Sequence, residues 1–221
     1  MRSTVVKKVV MAVTGLIMIA FLLAHMYGNL KMFSGAEAYD GYAHWLKGDI
    51  LYPIVPKGWF IWIFRSVLLA ALVLHIWSAA SLARTTLAVR GPGYDTFTRQ
   101  AQTYSARTMR WGGILIALFI VFHLLQFTAK VIRTGFDASV EPYEMFVLSF
   151  SQWWVFLFYA VLMVLICMHV RHGFWSAFQT LGLNSSAKSR KWLNWLGIGV
   201  AVVLYIGFML PPVAVLIGWV N

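Results

Sequence analysis

The chain has little charge and almost no cysteine. Only 11% of its 221 residues are charged and 61% are hydrophobic, whereas a soluble domain has roughly a quarter of its residues charged. This composition excludes an ordinary soluble fold and indicates an integral membrane protein. The single cysteine, Cys167, excludes a disulfide framework, a four-cysteine iron–sulfur cluster and a cysteine-based zinc site within the chain.

Long apolar runs recur five times along the sequence. Each has about 20 residues, which is enough for a helix rising 1.5 Å per residue to cross a bilayer. The predicted helices cover residues 9–30, 59–83, 111–132, 153–175 and 193–219. The first run is longer than the core of a signal peptide. We therefore predict one all-α membrane domain, residues 1–221, in which Pro211 and Pro212 kink or break the fifth helix.

The charged residues are distributed unequally between the two sides of the predicted membrane domain. The segments on the N-terminal side of the membrane hold 12 cations and one acid, and the opposite loops hold five cations and six acids. Because basic loops stay in the cytoplasm, we predict a cytoplasmic N-terminus and a C-terminus on the other side. The net charge of +11 is therefore a topology signal and not a sign of nucleic-acid binding.

Four of the six histidines lie one in each of the first four apolar runs. They are His25, His75, His123 and His169. An ionisable residue inside the membrane is costly and marks a functional site by default. His44 lies in the loop after the first run, where a solvated or interfacial histidine is the simplest interpretation.

Helix direction sorts these four histidines into two depths. His25 lies ~26 Å past Lys8 and His123 ~20 Å past Arg110, which puts both in the outer half of the membrane. His75 and His169 each lie 17 residues into a helix that runs inward, and both therefore fall in the inner half. The predicted pairs are thus His25 with His123 and His75 with His169.

Two imidazoles at one depth on facing helices are the arrangement that holds a six-coordinate haem iron for electron transfer. A lone membrane histidine also serves as a hydrogen-bond partner or proton carrier. The complete set, one per helix and paired by depth, favours two haem b groups bound within the bundle of the first four helices.

One further histidine and several arginines lie near the predicted inner site. His172 is three residues after His169 and competes with it as a ligand, although Gly173, four residues after His169, leaves room for a macrocycle and favours His169. We interpret His172 as a haem-propionate or quinone neighbour. Arginines on the same side are candidates for charge-assisted bonds to propionates or are simply topology signals; they are Arg84, Arg107, Arg110 and Arg171.

Local motifs now suggest a family. They are His25 with Asn29 four residues later, the stretch GAEAYDGYAHWL after the first run, and HVRHGFWSAFQTLGL at the end of the fourth. With five helices and histidines in the first four, the chain resembles the single-chain dihaem cytochrome b membrane anchor of succinate dehydrogenases and fumarate reductases. The resemblance covers nearly the whole chain.

The resemblance implies a multi-pass protein of a bacterial-type cytoplasmic membrane, with a role in the respiratory chain and the tricarboxylic acid cycle. Such anchors hold a flavoprotein subunit and an iron–sulfur subunit on the cytoplasmic face, and electrons from succinate pass through two haems to a quinone, usually menaquinone. The chain itself is not expected to oxidise succinate, since it lacks a flavin-binding glycine motif. The direction of turnover, succinate oxidation or fumarate reduction, stays open.

Two other functions remain as alternatives. The chain could be the cytochrome b of another quinone-linked enzyme, such as a hydrogenase or formate dehydrogenase, but those anchors usually have fewer spans. It could also be a transporter whose histidines relay protons without haem. A transporter predicts paired helices broken near the midplane, whereas the only proline-interrupted run here is the fifth, which has no histidine.

Overall fold

A computed structural model of the chain describes residues 3–89 and 104–221, with side chains for 3–85 and 109–221. In these residues the fold is helical, with no strand. The helices are α1 Thr4–Leu30, α2 Ala36–Gly48, α3 Trp59–Val89, α4 Tyr104–His123, α5 Pro142–Phe150, α6 Trp153–Thr180 and α7 Ala187–Leu216. A 3₁₀ turn, Lys31–Ser34, follows α1, and a π-helical turn, Leu124–Thr128, follows α4.

Five helices of the described chain, α1, α3, α4, α6 and α7, are long and apolar enough to cross a membrane, which confirms the five predicted spans. Helices satisfy their own backbone hydrogen bonds, as lipid requires. A break in the fifth helix, one of the two outcomes expected from its prolines, does not occur, because α7 continues through Pro211 and Pro212 to Leu216. Membrane helices tolerate proline where neighbouring helices cover the freed carbonyl groups.

The core of the bundle lies between α6, α7 and α1. Val155 on α6 and Leu204 on α7 are fully buried, and α1 packs on α3, α6 and α7 while α4 packs on α6. Gly197 lets α6 and α7 approach closely, since a Cβ there would lie 3.3 Å from the carbonyl oxygen of Arg171. Small residues at helix contacts are the usual means of close packing in lipid, where burial of apolar surface adds little.

The two short helices, α2 and α5, pack together at the end of the bundle where α1 finishes, which we call the capped side. The Asp40 carboxylate of α2 accepts a 2.8 Å hydrogen bond from the backbone N–H of Tyr143 in the first turn of α5. His44, exposed on α2, lies 3.0 Å from the Glu141 carboxylate. Burial and the adjacent Asp40 raise the pKa of Tyr39 to about 12, so its hydroxyl stays neutral.

The opposite end, which we call the basic side, carries the N-terminus and the starts of α4 and α7. Ser186 and Ser189 form a capping box at the start of α7, in which each hydroxyl accepts a bond from the other residue's backbone N–H, at 3.0 and 3.1 Å. The sequence Gly91-Pro92-Gly93 predicts a turn in the loop between α3 and α4, and this turn lies outside the described residues. Which side faces the cytoplasm stays a prediction.

Candidate functional site

Two histidines from α1 and α4 face each other on the capped side. The ring centroids of His25 and His123 are 5.9 Å apart, and the rings are almost perpendicular, at 82°. Phe21 stacks on His25 at 5.4 Å and Phe208 of α7 lies 5.7 Å from it. We call these two histidines the first pair. The first pair therefore lies in aromatic surroundings, to which α7 contributes a phenylalanine and no histidine.

The second pair, His75 of α3 and His169 of α6, lies nearer the basic side. Their ring centroids are 6.3 Å apart. His75 Nδ1 lies 3.1 Å from the carbonyl oxygen of Met11 and 3.3 Å from the hydroxyl of Thr14. A carbonyl oxygen only accepts, so Nδ1 carries the hydrogen and Nε2 keeps its lone pair free.

Two glycines give the separation of the pairs along the helices. Gly15 on α1 lies against His75, and a Cβ there would be 3.3 Å from the imidazole Cε1; Gly113 on α4 lies against His169 at 3.7 Å. Each glycine precedes the first-pair histidine of its own helix by ten residues. At 1.5 Å per residue, the two pairs are therefore about 15 Å apart along both helices.

The ring-centroid separations of both pairs match those of two imidazoles bound to one iron. With metal–nitrogen bonds of about 2 Å and ring centroids about 1.1 Å behind each nitrogen, two such rings lie about 6.3 Å apart across the metal. The observed values are 5.9 and 6.3 Å. In the described part of the chain, no three His, Cys, Asp or Glu side chains gather in one place. The arrangement is thus one of pairs, which suits a group that supplies its own equatorial ligands, such as haem.

Unpartnered polar atoms near the second pair also fit a bound group. His169 Nδ1 and the Ser78 hydroxyl are buried without a hydrogen-bond partner among the described residues. Ser78 follows His75 by one helical turn and is completely inaccessible. Buried polar atoms without partners are rare and call for an explanation, such as a ligand or an ordered water.

Comparison with known proteins adds no assignment. The chain matches no protein-family model, and no curated protein or solved structure matches it either. The features of the chain that bear on its function are therefore the sequence motifs given above and the two histidine pairs.

The other predicted site residues lie on the basic side, and their described side chains make no hydrogen bond, ion pair or ring contact with the pairs. Arg84, Arg110 and Arg171 are exposed, and His172 is half-buried one turn after His169. The side chain of Arg107 lies outside the described residues. Within the described residues the four histidines form two pairs, and the side chains of Arg84, Arg110 and Arg171 make no hydrogen bond or ion pair with either pair.

A set of buried polar residues beside the first pair was not predicted from the sequence. Tyr159 of α6 lies 3.1 Å from His123 Nδ1, and its hydroxyl donates a 2.6 Å bond to Gln126. Gln126 is completely buried just after α4. A glutamine three residues after a membrane histidine, inside an apolar run, was the available signal.

Proposed function

We propose that this chain is the cytochrome b membrane anchor of a succinate:quinone oxidoreductase, which passes electrons from an iron–sulfur subunit through two b haems to a quinone, with menaquinone expected. The observation that carries the proposal is the convergence of four histidines from four membrane helices into two pairs with centroid separations of 5.9 and 6.3 Å. The sequence motifs quoted above support the choice of this complex over other cytochromes b.

The chain's own residues would provide ligands and an environment. His25 and His123 would hold one group, and His75 and His169 the other. A haem with two imidazole ligands has no open position for a substrate and exchanges single electrons. The apolar helices around the pairs exclude water, and the contact of His75 with the Met11 carbonyl holds its ring in the tautomer that a metal ligand requires.

The predicted partners would dock on the basic side. The sequence assigns 12 of the 18 cations to that side and predicts it to be cytoplasmic. A flavoprotein subunit and an iron–sulfur subunit would then be nearest to the second pair. Succinate chemistry belongs to those subunits in this proposal.

The first test is the absorption spectrum of the purified chain. We expect a reduced-minus-oxidised spectrum of a low-spin cytochrome b and two haems per chain. His75→Leu should leave one haem, that of the first pair, and His25→Leu should leave the other. His44→Ala is the matched control, since His44 is exposed on α2 and belongs to neither pair, and it should retain both haems. A colourless preparation would exclude the proposal.

The second test addresses the partners. The chain, purified under mild conditions from its own membrane, should bring down a flavoprotein that oxidises succinate. Copurification with a hydrogenase or formate dehydrogenase subunit instead would keep the two haems and replace the proposed complex with the alternative one.

A further inference from the structure

A buried chain of four hydrogen bonds begins at His123. The Nδ1 atom of His123 lies 3.1 Å from the Tyr159 hydroxyl, which donates a 2.6 Å bond to the Gln126 amide oxygen. The Gln126 amide nitrogen donates a 2.7 Å bond to the Thr134 hydroxyl, and that hydroxyl donates a 3.0 Å bond to Ser149. These hydrogen bonds join α4, the segment that follows it, α5 and α6.

The four residues that follow His123 in this series of hydrogen bonds are shielded from solvent and lipid. Gln126 and Ser149 have no exposed surface, Thr134 is 3% exposed and Tyr159 is 7% exposed. Burying polar groups is costly unless every one is paired, and a fully paired network fixes the side chains in one arrangement. Burying such a network in an apolar bundle costs free energy, and this cost indicates a role beyond packing.

The π-helical turn brings Gln126 into this network. It begins directly after His123, and the backbone N–H of Ala129 reaches the carbonyl oxygen of Leu124 at 2.8 Å, five residues earlier. Extra residues of this kind in a helix occur frequently at functional sites. Here the turn adjoins the first histidine pair.

The four bonds run in one direction, away from His123. Each hydroxyl or amide group donates to the next member, so the Tyr159 oxygen is left to accept and His123 Nδ1 must carry the hydrogen. The Nε2 atom then has a free lone pair. A metal-binding histidine needs this tautomer, and the acceptor on its other nitrogen makes it a stronger donor to the metal.

His123 is the only histidine of the two pairs with such a side-chain relay in the described chain. His75 Nδ1 donates to a backbone carbonyl and has the Thr14 hydroxyl nearby. Neither His169 Nδ1 nor the ring nitrogens of His25 make a hydrogen bond to a described residue. The two predicted haems therefore differ in their surroundings on the side of the second nitrogen.

We propose that Tyr159, Gln126, Thr134 and Ser149 act as positioning residues for His123 and lower the reduction potential of the haem at the first pair. This rests on the proposed function, because it requires a haem there. The physical reason is that the Tyr159 oxygen, polarised through the buried chain, draws the Nδ1 hydrogen and increases electron donation from Nε2, which stabilises the oxidised iron.

The test is redox potentiometry of the complex with Tyr159→Phe, followed by haem absorbance. Phenylalanine keeps the ring and removes the acceptor. We expect two bound haems, a positive shift of one midpoint potential, and no change in the other. The same substitution in the His75→Leu background, where only the first-pair haem remains, should show the same positive shift, which assigns it to that site.

Two further variants keep the test decisive. Thr134→Val keeps the shape but breaks the chain two bonds from Tyr159, so it should give a smaller positive shift of the same haem, and it replaces Tyr159→Phe should that variant fail to fold. Tyr205→Phe on α7 is the control, because the Tyr205 hydroxyl makes no hydrogen bond to a described residue, and it should leave both potentials unchanged.

The outcomes separate the two proposals. A protein without haem refutes the proposed function. Two haems with unchanged potentials in Tyr159→Phe and Thr134→Val, or a shift confined to the second-pair haem, overturn the positioning role while the cytochrome assignment stands.

Discussion

Replacing Gly15 with valine should remove the haem of the second pair and leave that of the first. Gly15 lies on α1 where α3 crosses it, and a Cβ added there would be 3.3 Å from Cε1 and 3.6 Å from Nδ1 of His75. The methyl groups of valine extend about 1.5 Å further and meet the imidazole ring. His75 must then turn and give up its bond to the Met11 carbonyl.

The cost follows from these contacts. Overpacking of this kind costs about 1–3 kcal/mol and the lost hydrogen bond about 1 kcal/mol. Together they amount to about 2–4 kcal/mol, which at 1.4 kcal/mol per factor of ten weakens haem binding at the second pair roughly 30- to 700-fold. The first pair, about 15 Å away along α1, should not be affected.

The measurement is haem per purified chain together with the midpoint potentials. Gly15→Val should carry close to one haem, with the potential that remains in His75→Leu. Gly112→Val is the matched control: Gly112 sits next to Gly113 on α4, but its added Cβ meets nothing within 4 Å, so two haems should remain. Two fully occupied sites in Gly15→Val, or loss of the first-pair haem instead, would refute the packing argument.

Three further predictions concern stability, measured as the thermal unfolding midpoint of the purified protein. Gly197→Ala should destabilise by about 1–3 kcal/mol, because its Cβ would lie 3.3 Å from the backbone carbonyl oxygen of Arg171, which cannot turn away as a flexible side chain can, whereas Gly199→Ala meets nothing within 4 Å and should be neutral or slightly stabilising. Asp40→Ala removes the carboxylate at the start of α5 and should cost about 1 kcal/mol, while Asp40→Asn should retain part of it. Ser186→Ala removes the capping box of α7 and should cost about 0.5–2 kcal/mol; an unchanged midpoint in any of the three destabilising variants would contradict the contact it tests.

The number of spans and the pairing of the histidines could be predicted from the length of the apolar runs and the rise of a helix. A run of about 20 apolar residues must cross the bilayer, and a fixed rise per residue converts position in the run into depth. This conversion placed His25 and His123 in the same half of the membrane, and their rings are 5.9 Å apart. Haem binding at the pairs stays a prediction until it is measured.

The polar chain at His123 was not predictable in the same way. Its members come from four separate segments, and their contact depends on a π-helical turn that has no sequence rule as clear as a cap or a glycine turn. The continuity of α7 through Pro211 and Pro212 is a related case. The sequence shows which backbone donors are missing, but only the packing around the helix decides whether it breaks.

The arrangement of α1 and α4 ties the two sites together mechanically. Each of these helices supplies a histidine to the first pair and, ten residues earlier, a glycine surface to the second. Sliding α1 along its axis as a rigid rod would move His25 relative to His123 and Gly15 relative to His75 by the same amount. Neither pair can therefore be realigned by a helix shift without disturbing the other, so the spacing between the two centres is a fixed dimension of the scaffold.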